Sequence, residues 1–147
     1  MYGVIITGHG EFPIGLRASA EMIAGEQDKL ATHSFIEGAS FEAFEKELAE
    51  SIKKFSQELD GVLIFADLLG GSPFRAAMSA AHGLENARVI TGANSPMLLE
   101  CLVARDGSMK LKDLLYLILE TGKEGILSPV LELDSVYDAD VTEGDGI

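Results

Sequence analysis

The chain has 147 residues, 47% of them hydrophobic and 24% charged, which fits one globular domain with a sizeable core. Its net charge of −13, from 11 Lys and Arg against 24 Asp and Glu, argues against nucleic acid or an anionic membrane as partner. The longest apolar run, Leu114 to Leu119, is far short of the ~20 residues of a membrane helix, and the lone Cys101 excludes an internal disulfide or cysteine-based zinc site.

Tyr2 to Gly8 is a β-rich run followed by His9. No basic residue precedes it, as a secretory signal would require, and a cytoplasmic location is expected. Gly10 to Pro13 is a turn, and Pro13 suits the first position of a helix reaching Ile23 and ended by Gly25. Leu30 to Ile36 alternates as a weaker strand, which Gly38 breaks. Ser40 then caps a helix in which Phe41, Phe44, Leu48, Ile52, Phe55 and Leu59 recur as one apolar stripe.

Val62 to Ala66 is a purely apolar strand that stops at Asp67, with Gly70-Gly71-Ser72-Pro73 close behind. The Ser-Pro pair predicts a helix from Pro73 to His82 with Ser72 as its N-cap. Ala87 to Gly92 is a fourth strand, and Asn94-Ser95-Pro96 repeats the Ser-Pro helix start for a helix reaching about Ala104. Another helix runs from Leu111 to Thr121 and stops at Gly122. Gly125 to Leu133 reads as a last strand, and Pro129 confines it to a sheet edge or a bulge. From Asp134 the chain is acidic and is expected to be a disordered tail, so that residues 1–133 form the domain and 134–147 the tail.

The alternation of strands and helices predicts an α/β, three-layer fold, a mainly parallel sheet with helices on both faces. With the common strand order 2-1-3-4, the first and third strands are neighbours whose outgoing helices lie on opposite faces. Ligands bind at such a switch point, here between His9 and Asp67. A carboxylate accepting from one ring N–H fixes the tautomer of the imidazole and leaves the other nitrogen as a nucleophile or base. Gly70 and Gly71 allow close backbone approach, and a helix N-terminus with Ser72 can hold an anion. Nucleophile plus anion cradle suggests phosphoryl transfer through a phosphohistidine, with no metal or cofactor. Gly10 and Asn94 face the same edge.

Thr7-Gly8-His9-Gly10, Asp67-Leu68-Leu69-Gly70-Gly71-Ser72-Pro73 and Gly92-Ala93-Asn94-Ser95-Pro96-Met97-Leu98, in this order, resemble the IIA component of mannose-family sugar phosphotransferase systems. The resemblance covers about residues 1–130. It implies that His9 accepts a phosphoryl group from HPr and passes it to a IIB component, which phosphorylates a sugar entering through membrane IIC and IID subunits. It also implies that Asp67 orients the His9 ring and that Ser72 with nearby backbone holds the phosphoryl oxygens. The family fold has an antiparallel edge strand exchanged in a homodimer, which Gly125 to Leu133 matches. Members fused to IIB continue through an Ala/Pro-rich linker that is missing here, so IIB is expected as a separate protein.

The alternatives are weaker. Asp67 and Asn94 alone are ordinary turn residues and Ser72 and Ser95 ordinary caps, while His33, His82 and Cys101 read as structural or solvated. A receiver- or flavodoxin-like module would want an acidic cluster at the first strand end, where this chain has Gly-His-Gly. A serine hydrolase would want Gly-x-Ser-x-Gly, but Phe74 stands where the last glycine should be. The phosphocarrier subunit of a dihydroxyacetone kinase system, which also uses a histidine here, is the nearest alternative.

Overall fold

Residues 1–131 are described by the computed structural model. In chain order they form β1 (Tyr2–His9), α1 (Phe12–Ala24), β2 (Leu30–Phe35), α2 (Phe41–Glu58), β3 (Gly61–Ala66), α3 (Ser72–Ala81), β4 (Ala87–Thr91), α4 (Ser95–Ala104) and α5 (Leu111–Glu124). The strands make one all-parallel sheet in the order β2-β1-β3-β4. That is the common order taken as the expectation above.

Side chains on the central strands alternate between two cores, because successive residues of a strand point to opposite faces. Val4 and Ile6 of β1 join Leu63 and Phe65 of β3 beneath α1, α4 and α5. Ile5 joins Val62 and Ile64 beneath α2 and α3. A strand buried on both faces has no room for a polar side chain, which is why β3 reads as an unbroken apolar run. The same partition puts α1 and α3 on opposite faces, so the crevice between the ends of β1 and β3 is open.

The apolar stripe of α2 behaves as its period predicts: Phe44, Leu48 and Ile52 are buried, and Ser40 caps the helix by accepting from the Ala43 N–H at 3.2 Å. Three local expectations are corrected. Gly71 and Asn94, one residue earlier than expected, are the N-caps of α3 and α4, and Ser72 and Ser95 become the first helical residues. The Asn94 carboxamide out-competes the Ser95 hydroxyl by accepting from the Met97 N–H at 3.1 Å.

The second correction concerns α5, which continues through Gly122 to Glu124. A Cβ on Gly122 would lie 2.5 Å from Met97 Cε, so this glycine serves the close packing of α5 on α4 rather than ending the helix. Third, the strand expected from Gly125 is not formed as far as the described residues go: 126–131 are in no strand. Among the described residues these apolar side chains pair with neither sheet edge, β2 or β4; Ile126, Leu127, Val130 and Leu131 are exposed. The remainder of that segment and the acidic stretch after it lie outside the described residues. Among the described residues, no helix is long and apolar enough to cross a membrane.

Candidate active site

β1 and β3 run side by side up to the pair Thr7–Ala66. His9, the last residue of β1 and still paired with Phe35 of β2, and Asp67, the first residue after β3, therefore lie as neighbours. The Asp67 carboxylate holds His9 twice through one oxygen: Oδ2 accepts from the His9 backbone N–H at 2.8 Å and lies 2.7 Å from ring Nδ1. Its other oxygen accepts from the Leu68 N–H at 2.8 Å. A carboxylate so placed makes Nδ1 the protonated nitrogen of a neutral ring, leaving the Nε2 lone pair unused.

Exposure divides the pair. The Asp67 side chain is 10% exposed and that of His9 45%. Burial alone raises the Asp67 pKa and is the largest single influence. The hydrogen bonds from the His9 backbone, the His9 ring and the Leu68 N–H together outweigh it and hold the carboxyl below its ordinary value. Asp67 is thus a fixed anion, and the ring it holds faces outward.

Two glycines make room for this arrangement. A Cβ on Gly8 would lie 2.9 Å from Asp67 Cγ and 2.8 Å from Phe12 Cδ1. A Cβ on Gly71 would lie 2.8 Å from His9 Cε1, so the backbone at the start of α3 rests against the imidazole edge. Gly70, with φ of 82°, takes the left-handed turn that brings it there. Gly71 caps α3 through its backbone alone, so the Ser72 hydroxyl does no capping; its contact is with the Arg75 guanidinium, 3.4 Å from Oγ.

His9, Asp67, Gly71 and, next to it, Ser72 are therefore brought together, with Gly10 beside His9. Asn94 is not free to join them. Its Oδ1 is taken by the α4 cap and its Nδ2 donates to the Gly122 carbonyl at 3.0 Å, clasping α4 to α5. His33, two residues before Phe35 in β2, turns to α2 instead of the site, with Nε2 2.9 Å from Ser51 Oγ; burial pushes its pKa down and nearby Glu47 pushes it back up only in part. His82 is exposed at the end of α3, and Cys101 is buried among apolar residues, with its thiol pushed up to about 12 by burial.

Sequence reasoning missed Phe35, Ile36 and Arg75. The Phe35 ring meets His9 edge-on at 6.2 Å, and the Gly10 N–H donates to the Phe35 carbonyl at 2.9 Å. His9, Gly10, Phe35, Ile36, Glu37 and Gly38 line a groove of about 330 Å³. The signal for Phe35 was present: an aromatic residue ends a strand at the position that pairs with His9.

Residues 3–119 match the family described as PTS system fructose IIA component, the EIIA-man family. The chain belongs to that mannose-type family of phosphotransferase-system IIA components. It is 37% identical over 115 residues to the PTS system fructose-specific EIIA component of Bacillus subtilis strain 168, covering 78% of this chain and 77% of that one. It is also 37% identical over 123 residues to the PTS system mannose-specific EIIAB component of Escherichia coli strain K12, covering 84% of this chain but only 38% of that one. The mannose/sorbose-specific IIA subunit from Enterococcus faecalis superposes with a TM-score of 0.79 at 26% identity, covering 89% of this chain and 96% of that one. The EIIA component from Streptococcus agalactiae gives 0.75 at 29% identity, covering 87% and 97%. A mannose-type IIA component is a phosphotransferase-type protein of a sugar phosphotransferase system.

Proposed function

We propose that this IIA component is a phosphoryl carrier in which His9 Nε2 accepts the group from phospho-HPr and donates it to a IIB component. The observation that carries this is the double hold of Asp67 on His9, through backbone N–H and ring Nδ1, beside an imidazole whose other nitrogen is free and outward.

The Nε2 lone pair attacks phosphorus while the P–N bond of the donor phosphohistidine breaks and its electron pair returns to the donor ring. The new N–P bond leaves positive charge on the His9 ring, because Nδ1 keeps its proton. Asp67 offsets that charge where it develops, and being already fixed it needs no reorganisation. The three equatorial phosphoryl oxygens carry the opposite charge. Gly70, Gly71 and Ser72 offer them backbone N–H groups, the positive end of α3 and a hydroxyl not engaged in capping. Transfer to IIB is the same displacement with His9 as leaving group, and the IIB protein in turn phosphorylates a sugar passing through IIC and IID.

Residues 1–133 form the carrier unit, and it works as a homodimer. The exposed apolar residues at 126–131 support this reading, as a segment a second copy's sheet edge would cover. Truncation after Glu124 gives a monomer by light scattering if this is right; a stable dimer after that cut counts against the exchange.

Incubation with phosphoenolpyruvate, enzyme I and HPr is expected to add one acid-labile phosphoryl group to His9, read by intact-mass and fragment spectrometry. No label, or label that survives His9→Ala, sinks the carrier reading.

A further inference from the structure

Four arginines lie in the described chain, and three have evident structural partners. Arg17 pairs with Glu21 at 3.0 Å and also donates to the Leu30 carbonyl. Arg88 donates to the carbonyls of Glu85 and Ala87. Arg105 is buried and donates to the carbonyls of Tyr2, Asp28 and Lys29 and to Gln27 Oε1. Arg75 differs. It is exposed on the first turn of α3, and among the described residues its guanidinium has one contact, the 3.4 Å approach of Nη2 to Ser72 Oγ.

An arginine without a carboxylate partner in a chain of 24 acidic and 11 basic residues is conspicuous. Its place is more so. Ser72 follows Gly71, whose backbone rests on the His9 ring, so the guanidinium contacts the side chain of the residue next to that seat. The rim there is otherwise acidic, with Glu11 and Glu37 on the loops after β1 and β2. The contact with Ser72 is long for a hydrogen bond and so is weakly held. The Ser72 oxygen accepts it, which leaves the hydroxyl proton available to donate elsewhere.

Resting on the carrier reading, we propose that Arg75 is a phosphoryl-binding catalytic residue: its guanidinium moves from the Ser72 hydroxyl to the equatorial oxygens of the group on His9. A planar cation with five donors matches two phosphoryl oxygens at once, and charge-assisted bonds of this kind are stronger than the neutral contact they replace. Asp67 then balances the charge on the ring, and Arg75 balances the charge on the phosphoryl group. The bound state of the carrier is thereby stabilised against water as well as formed faster.

The test compares full-length wild type, Arg75→Met, Arg75→Lys and, as a control of equal charge change away from the site, Arg88→Met. Each is charged with phosphoenolpyruvate, enzyme I and HPr, then freed of partners. Arg75→Met is expected to lower kcat for transfer from phospho-HPr at least about tenfold. It should also shorten the half-life of the isolated phosphohistidine and shift its phosphorus NMR resonance. Arg75→Lys should recover only part of each effect, and Arg88→Met should match wild type. Equal kcat, half-life and resonance for Arg75→Met and wild type overturn the proposal while leaving the carrier reading intact. A change in KM alone, shared by Arg88→Met, also overturns it, since that is long-range steering by net charge. Absence of label on wild type overturns the carrier reading and this inference with it.

Discussion

The two ends of the sheet use backbone-anchored charge in opposite ways. At the amino end Arg105, 3% exposed, lies across the entrances of β1 and β2, and its donors are taken up by the carbonyls of Tyr2, Asp28 and Lys29 and by Gln27. The N-terminal ammonium on Asp60 and the Tyr2 hydroxyl on the Met109 carbonyl close the same end. At the carboxyl end Asp67 is equally well satisfied, yet the group it holds is left half open, with one ring nitrogen facing out. Engaging both terminal nitrogens of a buried guanidinium makes that ion structural. Holding an exposed ring at one nitrogen only leaves the other with a fixed direction, which on the carrier reading is the nucleophile.

Substitutions at the two ends should therefore have opposite signatures. The largest effect is expected from His9→Gln, which should abolish phosphoryl labelling while leaving the melting temperature within a few degrees of wild type; calorimetry on the unlabelled protein checks the second half. Asp67→Asn comes next. Its carbonyl oxygen can still accept from His9, but the charge that offsets the phosphorylated ring is gone, and stopped-flow transfer should slow about a hundredfold or more. This variant should also flatten the acid side of the stability curve. A carboxyl held below its ordinary value stabilises the fold fully above about pH 4 and loses that contribution as pH falls through its lowered value. Urea titrations between neutral pH and pH 3 would show this; an unchanged slope would mean that the hydrogen bonds to Asp67 are weak in solution.

Arg105→Met should invert the pattern. Stranding carbonyls in a buried end costs about 2–4 kcal/mol of stability, with transfer kinetics unchanged at a temperature where the variant is folded. Gly71→Ala is smaller and more discriminating. The backbone there has φ of −66° and ψ of 164°, which alanine adopts freely, so the only obstacle is the ring 2.8 Å from the new Cβ. Stability should hold or rise slightly, while transfer falls several-fold because the imidazole must tilt. His82→Ala, remote from both ends' networks, should be silent in both assays.

Much of this was legible in the residues, for identifiable reasons. The four parallel strands followed from apolar runs separated by helical patterns, and their order is the common one that was assumed. The His9–Asp67 juxtaposition followed from topology, since neighbouring strands end together at a switch point. What was misjudged depends on competition or on partners distant in sequence. Gly71 and Asn94 displaced the serines as caps because a cap is chosen by local geometry that several adjacent small polar residues can satisfy. Gly122 looked like a helix end because its packing against Met97 is invisible along the chain. Arg75 carries no pattern of its own and becomes notable only when the partners of the other arginines are known. The apolar residues at 126–131 carry a strand-like pattern, yet among the described residues they join no strand.

The seat of the imidazole on Gly71 has one more consequence. Because a single methyl group there would turn the ring without altering surface charge or fold, on the carrier reading a chain with alanine at this position would be a decoy: it would still meet its partners and occupy them, but relay several-fold more slowly. Mixed with wild type, it should throttle flux in proportion to its share of the population, making the missing side chain a handle on traffic through the whole pathway.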